Sequence, residues 1–214
     1  MTVARTKRQA SKAGLPPLEN GDMLTLSEFL RRYNDMHDVK KAELIEGVVH
    51  MPSPVRADAH AEPDGIVHGW LFCYASENNL KFYPNATLLL DAENSLQPDA
   101  ILCSKPQKGG RVWLNKGGYL CGAPELVVEI AASSVSIDLR DKLRVYRRAG
   151  VSEYVVWRTQ DKALDWFVLH EGEYVKAAPD KDHKHRSRTF KNLVLDVKAL
   201  LKLDGAKVLA ALKR

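Results

Sequence analysis

No stretch of this 214-residue chain approaches the ~20 consecutive apolar residues that a membrane-spanning helix needs, so no segment is expected to cross a bilayer. Cysteine is scarce. Cys73, Cys103 and Cys121 show neither a CxxC pair nor any other metal-ligand spacing, which argues against a disulfide framework or a thiolate zinc site. Their odd number and apolar neighbours predict reduced, mostly buried thiols. No internal repeat is present, which excludes solenoids and arrays. Ser133-Ser134 lies beside a glutamate but has no histidine at useful spacing, so there is no case for a serine hydrolase triad. Basic residues near the N-terminus are not followed by an apolar segment, so no secretory signal is expected and the cytoplasm is the expected location. Strong charge of one sign is also missing: 32 Lys and Arg against 27 Asp and Glu leave +5 and a pI near 9.0. That balance suits a polyanionic partner without requiring one.

What is present is ordinary soluble-domain material, 45% hydrophobic and 28% charged, with length for one cored domain plus an appendage. Residues 1–21 carry Arg5, Lys7, Arg8 and Lys12 and read as a disordered basic arm, either a plain tail or one that contacts phosphates. A single domain is expected over 22–203 and a helical tail over 204–214. Thr25-Leu-Ser-Glu28 has the capping-box form and precedes Leu26, Phe29, Leu30 and Tyr33 at helical spacing. Ala42–Met51 reads as a hairpin bent at Glu46-Gly47 and stopped by Pro52 and Pro54. A buried helix is expected from Pro63 to Asn78, and strands over Thr87–Asp91 and Pro98–Cys103. Residues 104–123, rich in Gly and Lys, read as one long connection of the kind that overhangs a site.

Leu126-Val-Val-Glu-Ile-Ala131 is an apolar run of strand length, fit for a strand covered on both faces, and Glu129 interrupts it. An unpaired ionised carboxylate costs several kcal/mol to bury, so Glu129 needs a cation, a hydrogen-bond network or a proton. Glu125, just after a proline, reads as solvent-exposed. A helix over Asp138–Ala149, capped by Gly150, and a strand over Glu153–Trp157 complete a strand-helix-strand unit, which implies parallel pairing with the Glu129 strand through a right-handed crossover. Ala163–His170 and Glu173–Ala177 read as a hairpin, Asp180–Arg188 as a charged loop, Leu193–Leu195 as a short strand, and Val197–Lys213 as a helix broken near Asp204-Gly205.

Asp99 opens the strand that follows Gln97-Pro98. If that strand neighbours the Glu129 strand, both carboxylates can converge at one end of the sheet. Two like charges about 4 Å apart at an effective dielectric near 20 repel by roughly 4 kcal/mol. Such a pair wants Mg²⁺ or a shared proton, unless each acid is satisfied by its own cap or salt bridge. Hard oxygen ligands suit phosphodiester hydrolysis. Glu43 offers a third carboxylate. Lys142 stands four residues after Asp138, either as a surface helix pair or as the cation that steadies charge at an attacked phosphate. His183 and His185 read as part of a solvated loop. His60 is either a helix-start hydrogen-bonder or a site residue. Trp113, Trp157 and Trp166 read as packing side chains, with base stacking as the alternative.

The ordered set Glu43-Leu-Ile-Glu-Gly47, Pro52-Ser-Pro54 with His60, Gln97-Pro98-Asp99, Ala123-Pro-Glu-Leu-Val-Val-Glu-Ile130, Asp138-Leu-Arg-Asp-Lys142 and Tyr146 with Ala149-Gly-Val-Ser-Glu-Tyr154 resembles the Uma-type endonucleases of the PD-(D/E)XK, restriction-endonuclease-like superfamily. The resemblance covers about residues 22–203. It implies an α/β fold with a mixed sheet flanked by helices and an added C-terminal hairpin. It also implies a nuclease site with Mg²⁺ (or Mn²⁺) on Asp99 and Glu129, Glu43 as an accessory acid and Lys142 as the catalytic lysine. DNA is then the expected partner, with a second copy of the chain as a further candidate and no membrane. One departure stands out: the lysine expected two residues after the glutamate is replaced by Ala131. The alternative function is an inactive nucleic-acid or protein interaction module on the same fold.

Overall fold

The structure, a computed structural model, describes residues 14–51 and 56–213. Most of the basic arm, and the Pro52 and Pro54 stop, lie outside the described residues. Strands dominate, and they separate by length. Short ones make a first sheet: Glu43–Ile45 (β1), Val48–His50 (β2), Leu88–Leu89 (β4), Ser95–Leu96 (β5), Trp113–Leu114 (β7) and Leu120–Cys121 (β8), in the order β2-β1-β5-β4-β8-β7. Mostly longer ones make the second: Lys81–Pro84 (β3), Ala100–Cys103 (β6), Leu126–Ala131 (β9), Glu153–Arg158 (β10), Ala163–His170 (β11) and Glu173–Ala177 (β12), in the order β12-β11-β10-β9-β6-β3. Lys184–Arg186 (β13) pairs separately with Val194–Asp196 (β14).

Helices Leu26–Asp35 (α1), Glu62–Asn78 (α2), Val135–Ile137 (α3), Leu143–Ala149 (α4), Val197–Leu200 (α5) and Gly205–Ala210 (α6) pack around these sheets. Thr25 caps α1 by accepting from the Glu28 N–H at 3.4 Å, as the capping box predicts. No helix among the described residues is long and apolar enough to cross a membrane.

β9 is apolar on both sides because both of its faces are covered. Leu126, Val128 and Ile130 point toward Trp70 and Leu71 of α2, Leu195 of β14 and Val208 of α6. Val127 and Ala131 point the other way, toward Ile45, Leu88, Leu96 and Leu120 of the first sheet and Val145 and Tyr146 of α4. Strand alternation therefore turns Glu129 into the layer between the two sheets and α4. β9 runs parallel to β10, as the strand-helix-strand reading requires, and antiparallel to β6, with Ala100 opposite Val128. One further step of that register sets Asp99 against Glu129.

The β1–β2 hairpin turns at Glu46-Gly47, where both residues take positive φ (51° and 78°), the type I′ geometry that matches strand twist. Glu46 is then clamped by Arg144 and by Arg148 (2.7 Å), which fastens the hairpin carrying Glu43 to the helix that follows Lys142.

Several expectations need correcting. Residues 104–123 are not one long connection: β7 and β8 form a tight hairpin that completes the edge of the first sheet. Between Thr87 and Cys103 there are three strands, not two, because β4 and β5 pair with each other in the first sheet. The charged loop after Asp180 contains β13, and His185 within it is buried, its ring 5.0 Å from that of Trp166 and inclined to it by 30°. Glu125 is buried rather than solvent-facing, and accepts from the Ser104 N–H at 3.2 Å. Trp157 and Trp166 pack as expected, whereas Trp113 is 58% exposed. Cys103 is buried, but Cys73 and Cys121 are only partly so.

Candidate active site

Three structural elements deliver charged side chains to the layer around Glu129. From the first sheet, β1 contributes Glu43, whose Oε1 accepts from the Gln97 N–H at 2.7 Å. From the second, the β6 entry contributes Asp99 and β9 contributes Glu129. Between α3 and α4, residues Asp138–Lys142 form one widened, π-type turn of helix and contribute Asp138 and Lys142. Such turns insert a residue into the helical repeat and re-aim its side chains, often at functional sites. His60 stands in a second widened turn, Ala57–Ala61, directly ahead of α2.

Lys142 is the hub. Its Nζ lies 3.0 Å from Glu129 Oε1, 3.0 Å from Glu43 Oε2 and 3.5 Å from Asp138 Oδ1. Its side chain is only 5% exposed, so the surface-pair reading of Asp138 and Lys142 is wrong for this fold. Tyr146, one turn further along the helix, donates to Glu129 Oε1 at 3.0 Å. Among the described residues both hydrogen bonds to this carboxylate fall on Oε1, which leaves Oε2 without one.

Asp99 is held differently. Its Oδ2 accepts from the Ile130 N–H at 2.7 Å. Lys41 Nζ stands 3.5 Å from Oδ1, and His60 Nε2 3.5 Å from Oδ2. The backbone carbonyl of Asp99 meets His68 Nε2 at 2.8 Å, and that nitrogen is also 2.9 Å from Asp64. The two basic side chains that meet the Asp99 carboxylate are the solvent side of the site, 25% (Lys41) and 20% (His60) exposed.

The electrostatics separate the two proposed ligands. Burial pushes Glu129 above the usual carboxylate range, opposed by Lys142 and reinforced by Asp138, Asp99 and Glu43. Burial also raises Asp138, against Lys142 and the Ser134 hydroxyl. For Asp99, burial pushes upward but is outweighed by the His60 hydrogen bond, the charges of Lys41 and His60, and the Ile130 N–H, so it lies well below its ordinary value. Burial works against charge on Lys142, yet its ring of acids holds it well above the ordinary lysine value, and it stays an ammonium. Asp99 raises His60 by hydrogen bonding, against burial.

Glu43, Glu129 and Lys142 thus come together directly, and Asp99 joins them from the neighbouring strand. Three contributors were not singled out as site residues. Lys41 precedes Glu43 by two positions, just ahead of β1, and reaches Asp99 from there. Tyr146 follows Lys142 by four positions on the same helical stripe. Asp138 was seen only as a partner of Lys142. His183 and His185 take no part.

The sequence matches the Uma2 family, described as "Putative restriction endonuclease", over residues 26–198. The chain belongs to the Uma2 family. The crystal structure of a "putative nuclease belonging to DUF820" from Anabaena variabilis is similar to this Uma2 chain, with a TM-score of 0.66 at 16% identity over 84% of this chain and 98% of that one. At that identity the likeness establishes a shared fold, and with it the expected α/β architecture of a mixed sheet flanked by helices. No curated protein matches the chain.

Proposed function

We propose that this chain is a divalent-metal-dependent nuclease that hydrolyses DNA phosphodiester bonds, with Mg²⁺ or Mn²⁺ held by Asp99 and Glu129. The observation that carries the reading is a surplus of buried carboxyl groups over basic partners: among the described residues, Glu43, Asp99, Glu129 and Asp138 are met by Lys41, Lys142 and a histidine. Membership of a family described as restriction endonucleases supports it. The donor set is all oxygen, which fits a hard cation. Asp138 Oδ1 is buried and accepts no hydrogen bond among the described residues, a further sign of unspent acceptor capacity. No three of these donors converge as a ready cluster among the described residues. The acids turn instead to Lys142, Lys41 and His60, so these basic side chains hold the carboxyl groups in place.

Bound at Asp99 and Glu129, a divalent cation would supply Lewis-acid polarisation of the phosphate and a more acidic water. The chain's own residues do the rest. Glu43 acts as the accessory acid that fixes Lys142 from the first sheet. Lys142 orients Glu129 and offsets negative charge developing at the attacked phosphate. Lys41 and His60, on the open side of Asp99, are the donors an incoming phosphate meets first. DNA is the proposed partner, with a second copy of the chain as a further candidate and the cytoplasm as the proposed location.

Replacing Asp99→Ala or Glu129→Ala is expected to abolish Mg²⁺- or Mn²⁺-dependent cleavage of plasmid DNA while circular dichroism shows an intact fold. Undiminished cleavage by both variants would sink the assignment. One observation favours the interaction-module reading: Ala131, where the superfamily resemblance expects a lysine, is fully buried between the sheets and α4. Calorimetric titration with Mn²⁺ separates the two readings, because binding that does not depend on Asp99 and Glu129 supports the module.

A further inference from the structure

The proposed hydrolytic site occupies one end of β6. At the other end, about 16 Å away by strand length, the two sheets part at their free edges. There β3 and β7 flank a cavity of about 260 Å³ lined by Lys81, Tyr83, Lys105, Trp113 and Leu114 among others. Tyr83 and Lys81 pair with Ile101 and Cys103, so they stand on the sheet face that also carries Asp99 and Glu129.

Three features of this cleft point the same way. First, its charge is one-sided. Residues 104–124 contain Lys105, Lys108, Arg111 and Lys116 but no Asp or Glu. Arg111 is spent on the Gly150 carbonyl (2.9 Å) and the Ser152 hydroxyl (3.2 Å). Lys81, Lys105, Lys108 and Lys116 have no carboxylate at ion-pair distance among the described residues, although Lys105 hydrogen-bonds to Asn79. The nearest acid along the chain, Glu125, is buried and committed to the Ser104 N–H.

Second, Trp113 is exposed without being loose. A Cβ on Gly122 would fall 2.6 Å from its ring, so the indole lies directly against the Gly122 backbone. Gly122 takes φ +90°, so a side chain there would be strained as well as obstructed. Third, Trp113 as a whole is still 58% exposed, which leaves it open to solvent beside the lysines. Unpaired lysines next to a braced, open aromatic ring are what an unpaired nucleotide requires: cations for its phosphates and a π-face for its base.

We infer that the β3–β7 cleft binds a single-stranded segment of nucleic acid, with Trp113 stacking on a base and Lys81 and Lys105 contacting the phosphates. This rests on the nuclease reading for the choice of polymer but not on the chemistry at Asp99 and Glu129. It gives the chain a second hold on its substrate, on the same sheet face as the hydrolytic residues.

The test is fluorescence anisotropy of a labelled 12-nucleotide single strand, titrated with the full-length protein in EDTA so that nothing is cleaved. Trp113→Ala is expected to weaken binding about tenfold, within the range for loss of one base stack, and Trp113→Phe to recover most of it. Lys81→Ala with Lys105→Ala is expected to lower the salt slope of binding by about 1.4, near 0.7 for each phosphate contact on a single strand. Equal affinity of Trp113→Ala and wild type overturns the inference while leaving the hydrolytic site untouched. So does a wild-type protein that binds no single strand, or one that prefers a fully paired duplex. If Trp113→Ala changes only self-association in sedimentation, the exposed edge is a contact between copies and the inference fails. Conversely, if Asp99→Ala and Glu129→Ala proteins both bind the single strand with wild-type affinity and both cleave as wild type does, the hydrolytic assignment alone is overturned.

Discussion

Glu129 and Glu153 lie on adjacent parallel strands, and both are essentially excluded from solvent, at 2% and 0% exposure. Their surroundings differ in kind. Glu153 accepts from the Trp166 indole N–H (2.7 Å), the Ser187 hydroxyl (2.6 Å) and the Thr189 N–H (2.8 Å). Every one of these donors is neutral, and together they tie β11 and the loop before Phe190 to the start of β10. Glu129 instead meets an ammonium and a phenol, with three more carboxylates close enough to perturb it. The comparison teaches that burial of a carboxylate does not identify a site. A saturated shell of neutral donors makes a structural tie; a shell crowded with further carboxyls around one shared ammonium leaves room for a ligand.

The sharpest way to break this contrast is to remove the ammonium. Lys142→Met should destabilise the protein by about 3–5 kcal/mol in urea unfolding, because three buried acids lose their shared cation. The same variant should gain more thermal stability from millimolar Mn²⁺ than wild type does, since the cation would replace the missing positive charge. A cost below about 1 kcal/mol would class Lys142 with ordinary surface pairs. Glu153→Ala comes next. It strands three donors, at about 1–3 kcal/mol for each that water cannot reach, so a loss near 3 kcal/mol is expected. Mn²⁺ should affect this variant no more than wild type. A large Mn²⁺ rescue of Glu153→Ala would erase the distinction.

The same comparison shows why the sequence was readable in some places and not in others. β9 was legible because coverage on both faces writes itself as an uninterrupted apolar run, and a single glutamate in that run cannot be ignored. The hairpins at Glu46-Gly47 and Glu171-Gly172 were legible because a glycine, the residue that takes positive φ without strain, stands between two strand-like runs. The two-residue strands β4, β5, β7 and β8 left no period to detect, since pairing with neighbours creates them rather than their own pattern. Glu125 and His185 were misplaced for a related reason: adjacent prolines and charges describe the local chain, while burial is decided by what packs on top. Within the candidate site, Glu43, Asp99, Glu129 and Lys142 stood out by their chemistry and placement, and the ordered motif set supplied the roles proposed for them. Tyr146 could have been reached as a site residue by helical spacing, and was not.

A smaller effect tests whether the excess charge around Glu129 is real in solution. Burial raises the folded-state pKa of Glu129 above its ordinary value of 4.5, with Lys142 opposing and the neighbouring acids adding to the rise. Between 4.5 and that higher value the folded protein retains a proton that the unfolded chain has released. Stability therefore falls as pH rises through this window, by at most about 1.4 kcal/mol per pH unit. Asp99 contributes with the opposite sign, because its folded-state pKa lies below 3.8, so its stabilisation is present above that pH and is lost on acidification. His60, raised above 6.5, contributes stability that is lost as pH climbs through its folded value. Glu129→Gln removes only the first of these contributions. Urea unfolding at pH 5 and pH 8 should therefore show the variant gaining on wild type as pH rises, by about 1 kcal/mol or more, whatever its starting deficit from the weakened Lys142 contact. A constant difference across that range would mean that Glu129 is ionised throughout, fully compensated by Lys142, and as settled in its surroundings as Glu153.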